Sequence, residues 1–96
     1  MTSAELSEKI NTLIDSSSEK IRSGDIDGAI GDLKSAECLD PENAVVLRSI
    51  ASVYAKDGLF RTAIEYCEKI EKLNSGYIDI HQIKKLKAFS LAMTNS

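Results

Sequence analysis

The sequence predicts an all-α protein: helical hairpins, about five antiparallel helices, in one domain spanning 1–96. Three observations carry this. Apolar residues recur at i, i+3, i+4 and i+7 over most of the chain, which lines one face of a helix. Five Gly and one Pro are too few for the many turns of a β-sandwich or barrel. The chain also repeats itself at a shift of about 34 residues, a period that stacked helical hairpins share.

The first helix is expected over 3–22. Thr2-x-x-Glu5 is a capping box, and Leu6, Ile10, Leu13, Ser17 and Ile21 lie on one side. Ser23-Gly24-Asp25 stops it, with Gly free to turn left-handed after the last turn. The second helix covers 26–39 on the stripe Ile26, Ala29, Ile30, Leu33, Ala36. Asp40-Pro41-Glu42-Asn43 ends it, because proline disfavours helix at the residue before it. Asn43 caps the third helix, 43–56, which carries Leu47, Ile50, Ala51 and Tyr54. Gly58 repeats the stop. The fourth helix, 60–73, carries Phe60, Ala63, Ile64, Cys67 and Ile70, and Asn74-Ser75-Gly76 breaks it. The fifth, 79–94, has Asp79-x-x-Gln82 as its start signal and Ile80, Ile83, Leu86, Phe89 and Met93 on a broad stripe. The expected core is Ala29, Ile30, Leu33, Leu47, Ile50, Ala51, Tyr54, Ala63, Ile64, Cys67 and Ile70.

A net charge of −3 is no footprint for nucleic acid, which asks for a basic face. The charge is uneven: residues 1–48 hold ten acids and five bases, residues 49–96 five acids and seven bases. Cys38 and Cys67 form no disulfide framework and no CxxC pair, as expected of a reducing, cytoplasmic setting. One histidine, His81, leaves no Ser-His-Asp or Cys-His constellation and no ordinary zinc site. No Gly-rich phosphate loop is present. No stretch approaches a membrane span, and the start of the chain lacks the basic and apolar regions of a secretory signal. A non-enzymatic protein with no metal and no cofactor is expected.

The repeat is specific at the residue level. Leu13, Ser18, Gly24, Ala29, Ile30, Glu37 and Leu39 recur as Leu47, Ser52, Gly58, Ala63, Ile64, Glu71 and Leu73. Seven identities compare with about two expected from average composition. Two copies, about 10–43 and 44–77, precede a capping helix at about 79–94. Copy two reads Leu47-x2-Ile50-Ala51-x2-Tyr54, then Ala63-x3-Cys67. Copy one reads Leu13-x2-Ser16-Ser17-x2-Lys20, then Ala29-x3-Leu33, then Pro41. This resembles the tetratricopeptide (TPR) repeat, whose pattern is W-x2-L-G-x2-Y, A-x3-F and a closing P. Ser16 and Lys20 stand where apolar residues are expected, and Ser75 replaces the closing Pro.

The resemblance implies a right-handed superhelix whose first helices line a concave groove. On that face would lie Asn11, Ile14, Ser18, Ile21 and Arg22, then Val45, Arg48, Ser52, Ala55 and Lys56. It also implies an adaptor or assembly chaperone that binds a partner's peptide or amphipathic helix. The carboxylate clamp by which many TPR co-chaperones hold acidic tails is not matched: Ile14, Ser18, Ser49, Asp79 and Ile83 occupy its positions. A second expectation is an obligate small subunit or chaperone of a larger complex, similar in size and repeat to the chaperones of bacterial type III secretion needle subunits. Two repeats and a cap are near the minimum for stability alone, so self-association is a further expectation. Lys84-Lys85-x-Lys87, the one basic cluster, would carry a third: contact with phosphate or nucleic acid.

Overall fold

The computed structural model describes residues 2–73 and 80–94. Five α-helices fill them: α1 Ser3–Arg22, α2 Ile26–Leu39, α3 Ala44–Lys56, α4 Phe60–Leu73 and α5 Ile80–Thr94. No strand occurs among the described residues. The Asn74-Ser75-Gly76 break, the Ser75 substitution and the Asp79 start signal lie outside the described residues.

The helices begin where the caps dictate. Thr2 Oγ1 accepts the Glu5 amide at 3.1 Å. Asp25 Oδ1 accepts the Gly28 amide at 2.9 Å, and Asn43 Oδ1 accepts the Val45 and Val46 amides at 3.0 and 3.1 Å. Each satisfies amides that have no partner within the helix. Asn43 is therefore the cap of α3 and not its first residue.

The chain forms two compact units, Met1–Pro41 and Glu42–Ser96. In the first unit α1 packs on α2, and Ile10, Ser17, Ala29, Leu33 and Ala36 are buried. In the second unit α4 packs on both α3 and α5, which touch each other only slightly. The buried set there is Ala44, Val46, Leu47, Ile50, Ala51, Val53, Ala55, Ala63, Tyr66, Cys67, Ile70, Ile83 and Ser90.

The sequence period is present in the backbone of the two hairpins. Helices α2 and α4 begin and end one period apart, and α1 and α3 end one period apart. Gly24 and Gly58 have φ of 89° and 82°, the left-handed conformation that glycine adopts without a steric penalty. Asp25 N–H donates to the Lys20 carbonyl and Gly24 N–H to that of Ile21. Leu59 to Tyr54 and Gly58 to Ala55 repeat both bonds. Both turns are thus Schellman closures, which satisfy the last carbonyls of the helix. Ala29 and Ala63, and likewise Leu33 and Cys67, are wholly buried in each hairpin.

Three residues expected in the core are only half-buried: Ile30, Tyr54 and Ile64. The buried line of α2 runs through Ala29, Leu33 and Ala36, and that of α4 through Ala63, Cys67 and Ile70. Ile30 and Ile64 stand one residue, about 100°, off those lines. Tyr54 lies flat against Tyr66, with ring centroids 6.0 Å apart, at the edge of the packed face.

Ser16 and Lys20 do not leave a defect in the first hairpin. Asp32 of α2 accepts the Ser16 hydroxyl at 2.7 Å and the Lys20 ammonium at 2.9 Å. The Ser16 bond first, and Lys20 second, hold the Asp32 carboxyl below the ordinary carboxylate range.

Candidate functional site

The expected groove residues fall on two helices in different units. On α1, Ile14 and Ile21 are half-buried, while Ser18 and Arg22 are exposed. Arg22 pairs with Glu19 at 3.1 Å, an exposed pair of small energetic weight. On α3, Val45, Arg48 and Lys56 are exposed, Ser52 is half-buried, and Ala55 is buried. Their spacing of 45, 48, 52 and 56 keeps them on one side of the helix.

The second unit turns part of that side into a cavity. Ser52, Ala55 and Lys56 of α3, Phe60 of α4, and Leu86 and Phe89 of α5 line a hollow of about 440 Å³. Phe60 meets Phe89 edge-on, with centroids 5.8 Å apart, an arrangement that suits the positive edge of one ring and the negative face of the other. Even so, Phe89 is 54% exposed. A smaller hollow of about 340 Å³ adjoins through Phe60 and includes Gly58, Leu59, Arg61, Thr62 and Thr94. Thus Ser52 and Lys56 meet in one cavity with Ala55. Val45 and Arg48 lie beyond it along α3.

The apolar pattern of α5 puts Leu86 and Phe89 on its packing stripe. Of the expected stripe Ile83 is buried, and the other buried residue of α5 is Ser90, seven residues on and so nearly superimposed down the helix axis. Phe89 lies about 100° round from Ser90 and reaches the open side. The repeat register holds the missing signal: one period before Leu86 and Phe89 stand Ser52 and Ala55. Carrying the period one step into α5 places all four on the same face.

The basic cluster is not three equivalent lysines. Lys87 Nζ pairs with Glu71 at 3.0 Å and with Glu68 at 3.7 Å, joining α5 to α4. Its hydrogen bond to Glu71 raises its pKa. Lys84 and Lys85 are exposed. Among the described residues no group of three His, Cys, Asp or Glu side chains is placed to hold a metal ion. No helix among them is long and apolar enough to cross a membrane. Cys38 is exposed and Cys67 buried, both free thiols.

Comparison with known proteins adds no assignment: no family model matches the chain, and no curated protein matches it.

Proposed function

We propose that the chain is a non-enzymatic protein-interaction module, an adaptor or assembly chaperone of the TPR type acting in the cytoplasm. It would receive an apolar segment of a partner protein in the α3–α5 groove. The observation that carries this is Phe89: a large ring, more than half exposed, in the lining of a hollow whose other apolar residues are Ala55, Phe60 and Leu86. Exposed apolar surface set in a concavity is the usual mark of an interaction site. The expected residues Ser52 and Lys56 lie on its rim, and Val45 and Arg48 extend the same side of α3.

The repeat reading has support of its own. Leu47, Ile50, Ala51 and Tyr54 have His81, Lys84, Lys85 and Ala88 as their counterparts one period on, all exposed. Thr12 and Glu19, one period ahead of the buried Val46 and Val53, are exposed as well. Five of these six residues, all but Ala88, are polar or charged, as capping elements of a helical array require.

A second reading, the obligate subunit of a larger complex, is favoured by Leu59, Leu91 and Met93. These are exposed in addition to Phe89 and Val45, and all five lie in the second unit. An adaptor purified alone stays monomeric, whereas an obligate subunit self-associates or aggregates.

Photo-crosslinking in the native cell tests the groove. A benzophenone amino acid at position 89 should give a discrete protein adduct, and one at exposed Glu65 of α4 should not. Equal adducts from both positions, or none from position 89, would remove the proposal.

A further inference from the structure

We propose that the segment seated in this groove is acidic: an apolar-anchored stretch of a partner protein whose carboxylates pair with Lys56 and Arg61. This presupposes the groove reading above and adds the chemistry of its occupant. The two adjoining hollows share Phe60, and each carries one charged side chain, Lys56 in the larger and Arg61 in the smaller. No Asp or Glu lines either among the described residues. Both cations are exposed and form no ion pair with a described residue. Lys20 and Lys87, by contrast, are tied to carboxylates of a neighbouring helix.

A cationic rim on a chain of net charge −3 is a local arrangement and not a consequence of composition. Apolar anchors on Phe60, Leu86 and Phe89 would supply affinity, because a few buried aromatic contacts dominate most interfaces. Lys56 and Arg61 would fix orientation, speed association with an acidic segment and repel a basic one. The acidic character of the occupant follows from this complementarity.

An unbiased peptide-display selection against the full chain tests it. Enriched peptides should combine two or more apolar anchors with Asp or Glu. Their binding should weaken about tenfold on Lys56→Glu with Arg61→Glu, and more at low salt than at high salt. It should be lost on Phe89→Ser. Circular dichroism melts of both variants establish that they fold. Neutral or basic peptides that lose binding on Phe89→Ser alone would overturn the acidic occupant and leave the groove standing. Peptides that bind every variant equally would overturn the groove itself. Absence of any enrichment, or a wild-type dimer that Phe89→Ser dissolves, would overturn an acidic partner segment as the occupant.

Discussion

Lys20 and Asp32 form an ion pair at 2.9 Å at the two positions that, one repeat later, hold the stacked rings of Tyr54 and Tyr66. The same place in the two hairpins is thus closed once by charge and once by aromatic stacking. Each solution is self-consistent, and a mixture is not. Asp32→Tyr alone leaves Lys20 without its carboxylate and Ser16 without its acceptor. Lys20→Tyr alone leaves the 17% exposed Asp32 side chain without its cation. Lys20→Tyr should cost about 1 kcal/mol, the usual scale for one such bond, and Asp32→Tyr, which removes two, about 2 kcal/mol. The double change should return to within about 1 kcal/mol of wild type, since apolar replacement of an ion pair is often neutral. Urea denaturation of the four proteins measures the coupling. Additive losses would show that the two positions act independently.

That exchange also shows how the sequence can be read and misread. The helix spans and caps are legible because their causes are local: Asn43, Pro41, Gly24 and Gly58 act within a turn of where they stand. Lys20 reads as a departure from the repeat because its compensation, Asp32, lies in another helix. The groove is half legible. Ser52 and Lys56 follow from the angular position of residues on α3. Phe89 requires the register of α5, which its broad stripe of Ile80, Ile83, Leu86, Phe89 and Met93 does not fix. Of that stripe Ile83 is buried, and the other buried residue of α5 is Ser90, which no hydrophobic pattern would select.

The Asp32 site makes acid stability predictable in sign. Its carboxyl titrates below the ordinary 3.8 because Ser16 and Lys20 hold the charged form. A lowered folded value contributes stability that is fully present above the unfolded value. It is lost as pH falls through the folded one. The urea midpoint of wild type should exceed that of Asp32→Asn at neutral pH. The gap should close below about pH 4. A gap that persists in strong acid would mean the Asn change acts through packing.

Ser90 is wholly buried, and its hydroxyl oxygen has no hydrogen-bond partner among the described residues. An unsatisfied buried polar atom costs roughly 1–3 kcal/mol. Alanine also has the better helix propensity. Ser90→Ala should therefore raise the melting temperature, by about 1 kcal/mol of stability. A lower melting temperature would show that the hydroxyl is satisfied by water or by a backbone carbonyl.

The two thiols should separate cleanly. Cys38 is exposed, whereas burial first, and then Glu71, push Cys67 up to about 11. Only the thiolate is a good nucleophile. A disulfide reagent should therefore modify one thiol rapidly in the folded protein and the second only on unfolding. Between the ordinary 9.0 and about 11 the unfolded chain releases its Cys67 proton while the folded chain keeps it. Stability should thus decline across that window, and Cys67→Ala should remove this part of the decline. Rapid modification of both thiols at neutral pH would contradict the burial of α4's inner face.

The turns offer the sharpest comparison between the hairpins. Gly24 and Gly58 share the left-handed conformation, with φ of 89° and 82°, and the same pair of Schellman hydrogen bonds. A methyl group built on either would meet nothing within 4 Å. Replacement by alanine therefore carries only the backbone cost of a left-handed L-residue, about 1–2 kcal/mol. Gly24→Ala and Gly58→Ala should lower stability by similar amounts. Asparagine at either position should cost less, because its side chain tolerates that region. The turns share no partner, so the two alanine losses should add. Urea midpoints of the single and double variants supply the measurement. A loss several times larger at one glycine than at the other would show that one turn is constrained by surroundings the other lacks, and the equivalence of the two hairpins would end at their dihedral angles.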